Sequence, residues 1–231
     1  MRYLQLDFMR GIAIILMIIF HISFDLNNFH FIDIDIYNRD GLAWFYFRMI
    51  IITIFMLSVG ISLVLVHQRT INYSKLFKRF FTLIGASIII SIASFITFPH
   101  SWIYFGVLHF VAFASLLAIP FINFKYISLL VGTTIITLFN LKLINMNFSY
   151  QLFAPLLNLP KHTEDLVSFT PWFGVVLIGI FLGKQRWFLF PIIENRFTKT
   201  VGFLGKHSLF IYLAHQPIFF GTIMGANLLF H

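Results

Sequence analysis

Apolar stretches long enough to cross a bilayer recur along the whole chain, at residues 4–24, 42–66, 80–98, 103–122, 126–143, 172–190 and 203–230. About 20 apolar residues span a hydrocarbon core as a helix. Inside that core no water satisfies backbone N–H and C=O groups, so each stretch must close its hydrogen bonds within itself. The expected fold is all-α: a polytopic transmembrane helical bundle of about seven spans, with residues 1–231 forming a single integral-membrane domain. Lys184 and Arg186 interrupt the sixth stretch, whose helix is expected to end near Gly183, with residues 187–193 along the interface. Hydrophobic residues make up 59% of the chain and charged residues 10%, and the mean hydropathy is +0.90. Soluble domains carry about 25% charged residues, so a soluble domain with a single anchor is excluded.

The opening segment is basic at its start and apolar in its middle, as in a secretory signal. No small-x-small cleavage site follows, however, and His21 and Asp25 stand where one would be. It is expected to be an uncleaved first span. A cytoplasmic N-terminus puts 12 of the 16 Lys and Arg on the inner side, including Arg2, Arg69, Lys75, Lys78 and Arg79 but not Arg39. The acids Asp25, Asp33, Asp35, Asp40, Glu164 and Asp165 then fall outside, and seven spans leave the C-terminus there too. The net charge of +8 follows from this bias and calls for no nucleic acid. Cysteine is absent, which removes disulfides, thiolate nucleophiles and Cys-ligated metals. Two outer segments, residues 25–41 and 145–171, are long enough to build a site. Gly179-x-x-x-Gly183 and Gly221-x-x-x-Gly225 are expected to serve helix packing.

The first helix carries Asp7, Arg10, His21 and Asp25 at about 0°, 300°, 320° and 0° on a helical wheel, an arc of about 60°. Ionisable groups at membrane depth persist mainly where they face a protein interior with a task. His21 and Asp25, spaced i, i+4, are the sharpest feature, because a carboxylate one turn away can fix an imidazole's tautomer and stabilise its protonated form. The alternative is a satisfied histidine at a helix end. Asp7 and Arg10 suit a surface ion pair. Arg48, one turn after Trp44, is expected to hold a carboxylate such as Asp25 or Asp165, or else to snorkel outward. In the last stretch Ser208, Tyr212, His215 and Thr222 share an arc of about 80°. His215 and Gln216 precede Pro217, which frees a backbone carbonyl and lets a kinked helix expose polar groups to a cavity. His109 is a weaker instance near the outer end of the fourth stretch. No metal, Walker-type or dinucleotide motif is present.

Several of these segments carry a resemblance. They are Arg2-Tyr-x3-Leu6-Asp7-x2-Arg10-Gly11-x-Ala13-x3-Met17-x3-His21, Asp25-Leu-Asn27, Phe47-Arg48 and Phe55-Met-Leu-x-Val-Gly60. Later come Tyr104-Phe-Gly-Val-Leu-His109, Asp165-x5-Pro171-Trp172-Phe-Gly174 and Leu204-Gly-x2-Ser208-Leu-x-Ile-Tyr212-Leu-x-His215-Gln216-Pro217. Together they resemble the heparan-alpha-glucosaminide N-acetyltransferase catalytic-domain family in its compact bacterial form.

The resemblance implies a transmembrane O- or N-acyltransferase of the bacterial inner membrane. Such an enzyme takes an acyl group from acetyl-CoA or another acyl-CoA in the cytoplasm. It passes the group to an amine or hydroxyl of a sugar or glycan on the opposite face. The bilayer is then a partner, no metal is expected, and the family's lysosomal member points to a homodimer. That member's proposed active-site histidine follows its first helix; here the region offers His30, in a loop of different length. His21 is typical of bacterial relatives, while Ser168 and Thr170 replace more apolar residues.

On this reading the basic inner loops attract the phosphates of coenzyme A, and the thioester enters between the first and last helices. His21, Asp25 and His215 are the catalytic candidates, with His21 as base or acyl carrier. Asp7, Arg10, Arg48, His109, Asp165, Trp172, Ser208 and Gln216 are the candidate substrate- and cofactor-binding residues. Of these, Arg48, His109 or Gln216 would bind the oxyanion, worth roughly 3 kcal/mol per donor. The rival reading is a proton-coupled transporter or exporter of small solutes, for which intramembrane His, Asp and Arg serve equally well. A membrane assembly factor with structural ion pairs is a third.

Overall fold

A computed structural model of the protein describes residues 3–34, 42–67, 70–144, 150, 154–155, 159–161, 163 and 165–230. Arg2, Asp35, Arg39, Asp40, Arg69 and Glu164, which bear on sidedness, lie outside the described residues, as do parts of both long outer segments. All regular structure among the described residues is helical. The helices are α1 (Leu4–Asn28), α2 (Leu42–Val66), α3 (Tyr73–Thr97), α4 (Val107–Leu117), α5 (Lys125–Asn140), α6 (Phe169–Gln185), α7 (Arg196–Lys206) and α8 (Ser208–Phe230). Four of them, α1, α2, α3 and α8, are long and apolar enough to cross a bilayer. The helices α4, α5 and α6 are apolar but shorter.

The departures from the expected spans have local causes. The fourth stretch yields only 11 helical residues before a 3₁₀ turn at Ile119–Phe121. Pro120 lacks the N–H that would continue the ladder. The last stretch is two helices, because α7 stops at Lys206. There the N–H of His207 bonds to the carbonyls of Phe203 and Leu204, and its Nδ1 to Phe203 again (3.0 Å). These contacts satisfy the orphan carbonyls of a helix end. The sixth helix closes at Gln185, two residues past Gly183, with Arg186 in the left-handed region (φ 60°) and Trp187 N–H bonding Leu182 O. At its other end Thr170 is extended because Pro171 follows it, so regular helix starts at the proline. The third helix begins at Tyr73, earlier than residue 80, because Asn72 accepts from Lys75 N–H and caps it.

Contacts divide the chain into two compact units, Met1–Phe55 with Leu189–His231, and Met56–Phe188. In the first, α7 lies backbone-to-backbone on the opening turns of α1. A Cβ on Gly205 would strike the carbonyl of Asp7, and one on Gly11 the carbonyl of Val201. Lipid tails are as apolar as leucine, so close approach through small residues is what holds such helices together. Alongside, α1 and α8 run parallel: residue 21 meets 215, 25 meets 216 and 29 meets 220. Ile14, Met17 and Ile51 form the apolar core of this unit, with Phe47, Phe55 and Tyr212 against it.

In the second unit α6 is the hub. Gly179 and Gly183 face Leu57, Ile61 and Val64 of α2, and Gly174 meets Gly132 of α5 with 2.7 Å between a built Cβ and the facing carbonyl. The 179/183 glycine pair is therefore a packing feature. Among the described residues no neighbouring element comes within 4 Å of where a Cβ on Gly221 or Gly225 would stand. His67 closes α2, buried at 3% exposure, with Nδ1 accepting from Asn72 N–H at 3.0 Å.

Candidate active site

In the first unit, α1 and α8 bring His21, Asp25, His215 and Gln216 together. The rings of His21 and His215 meet edge to face, centroids 4.9 Å apart. His215 is 5% exposed, and its Nδ1 lies 2.7 Å from the carbonyl of Tyr212. A carbonyl only accepts, so Nδ1 carries the hydrogen and Nε2 the lone pair. That is the tautomer a base or nucleophile needs. The local cause is helical: residue 212 is one turn before 215 on the same helix, so the ring folds back onto that turn's carbonyl.

Asp25 is 2% exposed, and both its oxygens accept from Gln216 Nε2, at 3.1 and 3.2 Å. The i, i+4 spacing pointed to a bond between Asp25 and His21. The carboxylate instead spans to the facing helix, and among the described residues the His21 side chain makes no hydrogen bond. Nor is Arg48 the partner of Asp25: the carboxylate is held by Gln216, and the Arg48 side chain is exposed. Trp44, one turn before it, packs on Phe20 and Phe47. Ser208 starts α8, two turns below His215. Asp7 and Arg10 form their own group under α7, with Arg10 Nη1 3.5 Å from Asp7 Oδ1 and Asp7 buried.

At the ends of the same two helices, Asn28, Phe29, His30 and Asn227 line a cavity of about 320 Å³. His30 is in the left-handed region (φ 61°), uncommon for a residue other than glycine. It follows the Asp25 turn directly, where α1 ends.

His109, Asp165 and Trp172 belong to the second unit. His109 Nδ1 accepts from Gly106 N–H (3.2 Å), and Nε2 lies 3.5 Å from Ser91 Oγ, which itself donates to Ile103 O. Both ring nitrogens thus hold the start of α4. Asp165 Oδ2 approaches Val107 N–H at 3.4 Å, placing negative charge at the helix N-terminus where the dipole favours it. Trp172 is buried in the first turn of α6. Among the described residues no group of three or more His, Asp or Glu is placed to hold a metal ion.

Three features lay beyond residue patterns. The Tyr212 carbonyl behind His215, the Gln216 amide under Asp25 and the left-handed His30 depend on how α1 and α8 face each other and on where α1 stops.

Residues 2–217 match the model of the family described as heparan-alpha-glucosaminide N-acetyltransferase, catalytic. The chain belongs to that family. Membership covers nearly the whole chain and, with the four long apolar helices, points to an integral-membrane acetyltransferase. No curated protein and no solved structure matches it.

Proposed function

We propose that the protein is a membrane acyltransferase that moves an acetyl or other acyl group from cytoplasmic acyl-CoA to an extracytoplasmic amine or hydroxyl of a sugar or glycan. The observation that carries this is the imidazole pair, His21 against His215, set beside the buried Asp25–Gln216 bridge between two parallel helices. In this reading His215, its Nδ1–H held by the Tyr212 carbonyl, or His21 beside it accepts the proton of the attacking N–H or O–H. The new bond forms at the thioester carbon, the C–S bond breaks, and the coenzyme A thiolate takes the proton as it leaves. General acid–base help of this kind is worth about 10²–10⁴ in rate.

The Asn28, His30 and Asn227 cavity, open at the ends of the same helices, supplies neutral amides and an imidazole suited to a polyhydroxylated acceptor. The basic first turns of α3, with Lys75, Lys78 and Arg79, lie on the side assigned to the cytoplasm and attract the phosphates of coenzyme A. The bilayer involved is the bacterial inner membrane, with the N-terminus inside, and the chain acts as one domain.

The test is thermal unfolding of detergent-purified protein with and without acetyl-CoA. A ligand present at 100 times its dissociation constant stabilises a fold by about 2.7 kcal/mol. A clear upward shift is expected. No shift at saturating acetyl-CoA turns the reading to proton-coupled transport, which needs no coenzyme A site.

A further inference from the structure

Gln216 is anchored at one arm of its amide and not at the other. Its Nε2 donates to both oxygens of Asp25 (3.1 and 3.2 Å). With its nitrogen on the carboxylate, the amide turns its oxygen away. Oε1 is buried and has no hydrogen-bond partner among the described residues. A buried acceptor left without a donor costs free energy, and two hydrogen bonds keep this side chain from turning to relieve it. The oxyanion role that a glutamine offers through its N–H is closed by Asp25. An acceptor remains, one residue along the chain from His215.

An acyl-CoA that brings its thioester to either imidazole brings a donor with it. The cysteamine amide N–H stands two methylene groups from the sulfur, so its distance from the reacting carbon is set covalently. We propose that Gln216 Oε1 accepts a hydrogen bond from this N–H and registers the thioester against the imidazole pair. The inference rests on the acyltransferase reading above. It makes Gln216 a substrate-binding residue and Asp25 the positioning residue that aims it.

The experiment measures dissociation constants by calorimetry for purified protein with two ligands. One is acetyl-CoA; the other is its analogue with the cysteamine N–H replaced by an ester oxygen. Wild type is expected to bind the analogue about tenfold more weakly, the factor expected when one buried acceptor is left unpaired. Gln216→Met should bind the two ligands equally. Equal affinity of wild type for both ligands overturns the proposal, whether or not the variant folds. Undiminished discrimination in a folded Gln216→Met overturns it as well. Absence of any acetyl-CoA binding brings down the acyltransferase reading too, whereas binding without discrimination removes only the role of Gln216.

Discussion

The carboxylate of Asp25 has two neighbours to choose from: His21 one turn before it and the Gln216 amide on the facing helix. The amide satisfies both oxygens, and His21 turns its ring to His215 instead. A helical wheel places Asp25 and His21 on one stripe correctly, but the partner across the stripe depends on the depth at which α8 lies against α1. No pattern within α1 carries that depth. His67 makes a different point. Its Nδ1 accepts from Asn72 N–H, which requires the neutral ring, and burial first, then Arg79 and Lys75, lower its pKa below the ordinary 6.5. The unfolded chain therefore binds this proton more readily than the folded one, and stability falls as pH drops below about 6.5. Melting temperatures of wild type and His67→Ala between about pH 7.5 and 5.5 should diverge, with the variant showing the flatter curve. Parallel curves would mean that the imidazole does not hold the loop.

Glycines decide contact at the scale of helices, and they do so only where a neighbour is present. Gly205 meets the carbonyl of Asp7, so Gly205→Ala should push α7 off α1 and cost about 1–3 kcal/mol as overpacking. Gly221 meets no other element among the described residues, and Gly221→Ala should be neutral or gain up to about 1 kcal/mol from helix propensity. Melting curves of the two variants in one detergent compare them directly; equal losses would contradict the packing assigned to α7. The two G-x-x-x-G patterns look alike as letters, yet Gly179 and Gly183 are packed, whereas Gly221 and Gly225 meet no other element among the described residues. The long helices were legible from apolar runs, whereas α7, most of it outside any such run, was not. Helix ends were not, wherever a backbone device intervened: Pro120 ended α4 early, and His207 split the last run into α7 and α8.

For the molecule as a whole, the absence of cysteine makes sidedness directly measurable. Single cysteines at Ser74, beside the basic start of α3, and at Ser101, past its end, should be modified from opposite faces of sealed vesicles. An impermeant maleimide should reach Ser101→Cys from outside and Ser74→Cys only after permeabilisation. The reverse pattern would invert the assigned topology and put the Asn28–Asn227 cavity in the cytoplasm. The family was legible because its motifs sit in order along residues 2–217, and the imidazole pair because α1 and α8 each carry one membrane-depth histidine. What the pair does is decided most directly by incubating purified protein with acetyl-CoA labelled in the acetyl group and following free coenzyme A together with label. Wild type should release coenzyme A and move the label to water, protein or added glucosamine. His21→Ala and His215→Ala should each lose about 10²-fold or more of that rate while keeping the wild-type fold. Undiminished release by both variants would contradict a catalytic role for the pair.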